Sequence, residues 1–177
     1  MATVLTTTYD SVSDTNALTI TLASLATSAS LIVGRQSTIV SNTSTKYVDF
    51  LVSGQITVGT TPTVDKNILV YVFAPLKAAG STFSYPIATT TALTESDGAA
   101  TFEAYQLNQL MLAPKPIQVI ATSDRAYSVA PFSVAQLFGG VCPLKWGLFV
   151  THNTGVNLNA TAGNHWFHWT GITYTQT

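Results

Sequence analysis

Charged side chains are scarce in this sequence. Only 8% of the 177 residues are Asp, Glu, Lys or Arg, whereas roughly a quarter of an ordinary soluble domain is charged. Such side chains normally cover the surface of a single domain, but here the polar residues are mostly Thr and Ser. We therefore expect much of the surface to be covered in the working state by copies of the chain or by a larger assembly. This indicates a structural or coat component.

Clusters of basic residues are also missing. The seven Lys and Arg residues occur singly, and the formal net charge is −1. Nucleic acids require a basic patch that neutralises phosphates, and anionic membranes attract polybasic stretches. The sequence therefore predicts neither a nucleic acid nor a membrane as a partner.

Cysteine pairs are absent, because Cys142 is the single cysteine. An internal disulfide is thus excluded, and we interpret Cys142 as a small buried hydrophobic residue rather than a catalytic thiol. The N-terminus lacks the basic and apolar regions of a signal peptide. Pro131, Gln136, Pro143 and Lys145 interrupt the most apolar window, which argues against a membrane helix. We expect synthesis in the cytosol and a soluble chain until assembly.

Short runs of Thr, Val, Ile, Tyr and Phe dominate the chain, and Gly, Pro, Asn and Asp separate them. Alternating apolar and polar residues between positions 47 and 58 predict a strand with one buried face. Residues 68–73 are apolar on both faces, so we expect that strand to be central or covered on its outer side. The strand candidates are Tyr47–Val58, Asn67–Ala74, Ile117–Ala121, Leu144–His152 and His165–Thr175.

About eight such strands predict an all-β fold, a two-sheet antiparallel β-sandwich over residues 17–177. We favour a jelly roll over an immunoglobulin-like arrangement, because the Cys–Trp–Cys pattern is absent. Residues 1–16 show little periodicity and are interpreted as an extended N-terminal arm. Ser133–Phe138 is predicted to form one helical turn capped by Ser133. Residues 18–40 have some helical spacing, but their Thr and Ser content favours extended structure.

Two segments resemble one family. Residues 34–62 match the pattern GRxSxxxxNxxxxYxDxxVxGxIxxGTxP, which precedes an apolar strand in small virion proteins of tailed bacteriophages. The C-terminal stretches KWGLFVTHNTG (145–155), LNATAGN (158–164) and TGITY (170–174) are similar to the closing hairpin of the same group. The resemblance implies a capsid decoration (cement) protein, or a related virion appendage, built on a β-sandwich. It implies no catalytic motif.

The expected function is therefore structural. We expect a homo-oligomer, with a trimer preferred over a dimer, that binds the major capsid protein on the outer head surface of the virion. Subunits that bind the assembled shell but not its separate components stabilise the shell by mass action. No cofactor is expected.

Two other functions stay open. Trp166, Trp169 and the seven Tyr residues are the side chains that stack on sugars, so a lectin-like appendage that binds a host glycan is one alternative. Alternation along the strand places the two Trp residues on opposite faces, which favours core or interface packing. A jelly-roll shell protein is the other alternative, but the chain lacks a basic arm for packaging nucleic acid.

Neither a metal site nor an active site is predicted. His165 and His168 are three residues apart in a predicted strand, so their side chains point to opposite faces and cannot bind one ion together. Glu95 and Asp97 occupy a predicted turn, where solvation explains both carboxylates, and no Gly-x-Ser-x-Gly motif occurs. We expect that the protein is not an enzyme.

Contacts with partners are assigned to the arm and to three turn loops. The candidate interface residues are Val4, Leu5, Tyr9, Thr60, Thr61, Pro62, Asn153, Thr154, Gly155, Asn159, Gly163 and Asn164.

Overall fold

A computed structural model describes residues 5–10, 16–79, 82–86, 88, 92–113 and 115–176, with the backbone alone for 77–79 and 82–83. The single α-helical turn of this part is α1 (Val134–Leu137), and 3-10 turns span Ala104–Gln109 and Ala162–Asn164. The strands are β1 (Leu5–Tyr9), β2 (Val33–Gln36), β3 (Val40–Ser41), β4 (Asp49–Thr57), β5 (Lys66–Phe73), β6 (Lys77–Ala79), β7 (Thr82–Ser84), β8 (Gly98–Thr101), β9 (Met111–Leu112), β10 (Ile117–Val119), β11 (Ala126–Ser133), β12 (Lys145–His152) and β13 (Trp166–Gln176).

The strands form two packed antiparallel sheets. One has four strands in the order β1-β13-β4-β11, and the other has the order β10-β5-β12-β2-β8, with β3 added to β12 and β9 to β5. Strands β6 and β7 make a separate hairpin. The predicted all-β, antiparallel sandwich is confirmed.

The strand pairing is nested along the chain. Strand β2 pairs with β12, β4 with β11, β5 with β10, and β6 with β7, so each pair lies inside the previous one in sequence. The first three pairs alternate between the two sheets. Nested pairs that alternate between two sheets are a feature of jelly rolls, while β6 and β7 stand outside both packed sheets. Strands β13 and β1 extend the four-stranded sheet on the other side of β4.

Alternation along β4 positions the main core. Phe50, Val52 and Ile56 are fully buried between the sheets, whereas Asp49 and Leu51 on the other face are half-buried. Side chains alternate between the two faces of a sheet, and only one face of this sheet packs against the other sheet. The prediction of one buried face is thus confirmed.

Strand β5 lies inside its sheet and is covered on both faces, as its sequence indicates. Val70 and Val72 belong to the main core, whereas Phe73 belongs to a second cluster on the outer side of the sheet. Phe102 and Phe149 are also part of this second cluster, with their ring centroids 4.8 Å apart. The second cluster explains why the strand is apolar on both faces.

Residues 18–40 contain no helix, and β2 is their main strand. Leu18 and Leu22 enter the core from irregular backbone, and the Leu18 N–H donates to the Phe167 carbonyl at 2.9 Å. The leucine spacing therefore reflects burial and not a helix. The capped turn is confirmed, because Ser133 Oγ accepts the Gln136 N–H at 2.9 Å.

The N-terminal segment pairs with the C-terminal strand. Residues Leu5–Tyr9 lie antiparallel to β13, with Leu5 opposite Gln176 and Tyr9 opposite Ile172. All five side chains are exposed. The segment is therefore an edge strand outside the core. Val4 lies outside the described residues.

Candidate interaction surface

The four-stranded sheet presents one face away from the core, which we call the outer face. Strand register places on it side chains that are almost all neutral, and Asp49 is the charged residue among them. The outer-face residues are Leu5, Thr7, Tyr9, Asp49, Leu51, Ser53, Gln55, Ser128, Ser133, Trp166, His168, Thr170, Ile172 and Tyr174.

The Asp49 carboxylate is fully engaged within the chain. It accepts the Ser133 hydroxyl at 2.6 Å, the Ala135 N–H at 2.8 Å and the Phe50 N–H at 2.7 Å. Three donors satisfy the charge and fix the start of α1 against β4. Among the described residues, the outer face thus presents no unengaged charge to a partner.

A shallow groove of about 570 Å³ crosses this face. Thr7 and Tyr174 line one side, and Gln136 and Gly140 line the other, with Ile172 between them. Asp49 also lines the groove, but its carboxylate already accepts three hydrogen bonds within the chain. The other lining side chains are neutral, so a partner meets hydrogen-bonding and apolar groups without desolvating an unengaged ion.

Aromatic side chains lie toward both ends of the outer face. Trp166 is 40% exposed and its ring centroid is 5.3 Å from that of His168, while Tyr174 lies near the other end of β13. Trp169 instead faces the core, where its ring contacts Phe50 at 5.2 Å between centroids. The two tryptophans of β13 therefore occupy opposite faces.

The three predicted contact loops meet at one end of the sandwich. The Thr63 N–H donates to the Thr154 carbonyl at 2.8 Å, and the Asn159 N–H donates to Thr57 at 3.0 Å. Strand β1 pairs with the far end of β13, eight residues or about 26 Å from Trp166. The structure thus groups the loops together but leaves Leu5 and Tyr9 apart from them.

Most polar side chains of these loops hold the loops in place. Asn159 Oδ1 accepts the Thr161 N–H at 2.9 Å and the Asn164 amide at 3.0 Å, and its Nδ2 donates to Asp124 at 2.7 Å. Thr154 is buried and donates to the Val156 carbonyl at 3.0 Å.

The remaining loop residues differ in exposure. Asn153 Oδ1 accepts the Asn67 N–H at 2.8 Å. Pro62 is buried, whereas Thr60, Thr61, Gly155 and Gly163 are exposed. Residues 160–162 are exposed too. This end of the sandwich is therefore accessible, and the outer face is the second candidate surface.

Two buried histidines have roles that the sequence did not reveal. His152 Nε2 lies 3.0 Å from the Leu25 carbonyl, and His165 Nε2 lies 2.9 Å from the Asn159 carbonyl. His165 Nδ1 accepts the Thr57 N–H at 3.3 Å, so this nitrogen is unprotonated in the folded state. Burial lowers the pKa of both histidines, and the nearby His165 lowers that of His152 further. No local pattern marks either residue as buried.

The two carboxylates of the predicted turn are in ion pairs. Asp97 accepts from Arg35 Nε at 2.7 Å and from the Thr21 hydroxyl, and Glu95 pairs with Lys145 at 2.7 Å. Burial raises the pKa of Asp97, but the hydrogen bonds from Arg35 and Thr21 outweigh it, and the net pKa is lowered. Both carboxylates therefore connect the turn that contains Glu95 and Asp97 to the sheet of β2 and β12.

Cys142 is half-buried beside Asn42. Burial and the charge of Asp49 raise the pKa of its thiol to about 11, so the thiolate is scarce at neutral pH. This agrees with a packing role.

Comparisons with known proteins give no relative. No protein-family model matches the chain, and neither a curated protein nor a solved structure matches it. Across the described residues, no helix has the length and apolar character needed to span a bilayer.

Proposed function

We propose that this protein is a structural subunit of a bacteriophage particle, a capsid decoration protein that self-associates and stabilises the shell from outside. The observation that supports this proposal most directly is the chemistry of the outer face, which has no unengaged charge in the described part of the chain. A face of this chemistry suits burial against another protein surface, because the core of an interface is depleted in charged residues. The resemblance of residues 34–62 to tailed-phage virion proteins is the reason for proposing that this other surface belongs to a phage particle.

The proposed mechanism is thermodynamic. Decoration subunits that bind the shell and not its dissociated components shift the equilibrium toward the intact particle. An oligomer that reaches several capsid sites gains effective concentration at each site after the first. Weak single contacts on a neutral face are sufficient for this mechanism.

Particle binding tests the proposal directly. Virions and empty heads from cells that produce the chain are purified on a density gradient, and mass spectrometry detects the chain in the particle fraction. Thr170→Glu introduces a charge at the middle of the outer face, and Thr122→Glu introduces the same charge in the exposed β10–β11 turn as a control.

We expect the wild type and the control to sediment with particles and to raise their disruption temperature. Thr170→Glu should lose both effects while it keeps the far-UV spectrum of the wild type. Particles without the chain, or equal binding by both variants, would contradict the proposal.

A glycan-binding appendage is the second candidate, and the exposure of Trp166 favours it. The indole lies on the outer face beside His168 and opposite Gln55, and an aromatic ring with adjacent amides is suited to a sugar ring. A glycan array separates the two functions. A selective hit that Trp166→Ala abolishes would support the appendage, whereas a decoration protein should bind no glycan selectively.

A further inference from the structure

The free edge of β1 lacks the features that normally block strand edges. Its sequence, Leu-Thr-Thr-Thr-Tyr, contains no charge and no proline, and all five side chains are exposed. Among the described residues its one strand partner is β13. Natural edge strands are usually protected by lysine, proline, a bulge or short length, since a flat edge binds another strand.

The other outermost strands are protected. Strand β11 has a register shift between Val129 and Phe132, next to Pro131. Strand β10 has three residues and follows Pro116, and β8 has four residues. Proline removes a donor and a bulge breaks the ladder. Strand β1 is thus the unprotected edge among the outermost strands that the structure describes.

The backbone groups of β1 alternate in direction. The Asp10 N–H donates to the Gly171 carbonyl at 2.8 Å, so in an antiparallel ladder Thr6 and Thr8 also direct their groups toward β13. The N–H and C=O groups of Leu5, Thr7 and Tyr9 therefore point outward. We infer that a second copy of this chain binds here, with the two β1 strands antiparallel about a two-fold axis at Thr7.

The strand complements itself in this arrangement. Thr7 lies opposite Thr7 of the second copy, and Leu5 lies opposite Tyr9 of the second copy. Leu5 is 68% exposed and Tyr9 is 60% exposed, so the pairing covers two apolar side chains in each copy. Tyr174, the neighbour of Thr7 on β13 and 58% exposed, flanks the axis. No like charges oppose each other, and the two sheets join into one eight-stranded antiparallel sheet.

The size of this contact predicts its strength. Five paired residues extend only about 17 Å along the strand, so the contact is small for a specific interface. The dimer should therefore dissociate on dilution. This inference rests on the self-association in the proposed function, and it gives a two-fold contact where the sequence favours a trimer.

Cysteine cross-linking tests the axis. Thr7→Cys is made together with Cys142→Ser, which removes the native thiol, and mild oxidation is followed by non-reducing electrophoresis. At the axis the two Cα atoms are about 5.5 Å apart, within disulfide range. The control, Thr8→Cys in the same background, places its two Cα atoms about 8 Å apart, beyond that range.

We expect the Thr7→Cys chain to form a covalent dimer and the Thr8→Cys chain to remain uncross-linked. Light scattering of the wild type from 1 to 500 µM, on the order of expected dissociation constants, should show mass rising from one to two chains. Thr7→Glu places two carboxylates opposite each other, and should stay monomeric with an unchanged far-UV spectrum.

The outcomes separate this inference from the proposed function. A stable trimer, or a monomer at all concentrations, without the Thr7→Cys cross-link would overturn the edge pairing but not particle binding. A cross-linked dimer that is absent from purified particles would support the pairing and overturn the decoration function.

Discussion

Acidification should destabilise the protein through its two buried histidines. The pKa values of His152 and His165 are lowered in the folded state by burial, whereas the unfolded chain titrates near 6.5. Below that pH the unfolded state binds more protons than the folded state, so stability falls as the pH decreases. Above about pH 7 both states are mostly neutral at these positions, so the titration of the two histidines should no longer change the free energy of unfolding.

The magnitude follows from linkage. A histidine that stays neutral in the folded state lowers the free energy of unfolding by about 2 kcal/mol between pH 7 and pH 5. Two such residues give an upper limit of about 4 kcal/mol, or a fall in Tm of roughly 8–16 °C for a chain of this size. The carboxylate of Asp97, whose pKa is lowered, acts at lower pH, because its stabilisation is lost below its unfolded value near 4.

Urea unfolding at pH 7, 6 and 5 measures this loss. His152→Gln and His165→Gln remove one titrating group each and keep an amide donor near the backbone carbonyl. Each variant should lose roughly half as much stability on acidification as the wild type loses. His168→Gln makes the same substitution on the outer face and controls for the change of side chain. If both buried variants lost as much stability on acidification as the wild type loses, the reasoning would be refuted.

Three other predictions follow from packing, charge and the edge strand. Gly54→Ala places a methyl group 2.5 Å from the Phe167 ring, and in a denaturation curve it should lower the free energy of unfolding by about 1–3 kcal/mol. In the control, Gly163→Ala, the new methyl group meets nothing within 4 Å, and the loss should be less than half as large. Asp97→Asn removes the charge of a partly buried ion pair and should cost about 1.5–3 kcal/mol at pH 7. Because the pKa of Asp97 is lowered in the folded state, this difference should shrink as the pH falls below 3.8, and a constant difference would contradict the charge argument. A chain that lacks residues 1–16 should keep its far-UV spectrum and cooperative unfolding but lose self-association, and unchanged self-association in light scattering would contradict this.

Local patterns predicted the elements whose burial depends on their own sequence. The alternation around Phe50 and Val52 identified β4 and its buried face, and the two-sided apolar run of β5 indicated a covered strand. Ser133 marked the start of α1 because a cap is a contact between residues three apart. Such signals need no knowledge of the rest of the fold.

Contacts between distant residues were not visible in the sequence. Nothing in residues 5–9 indicates that they pair with residues 172–176, since a short neutral strand fits many registers. The burial of His152 and His165 arises from loops that approach them from elsewhere in the chain. The neutral outer face likewise depends on strand order, although the low content of charge indicated that such a surface exists.

The nested strand pairing has a consequence for biosynthesis. Strand β2 cannot pair with β12 until β12 has been synthesised, and the same holds for β4 and its partners β11 and β13. At about 5–20 residues per second, synthesis of a chain of this length takes roughly 10–35 s, and the early strands have no partners for most of that time. Assembly of the two sheets should therefore begin only once β12 is available, and a pulse-labelled nascent chain should remain protease-sensitive until β12 has emerged.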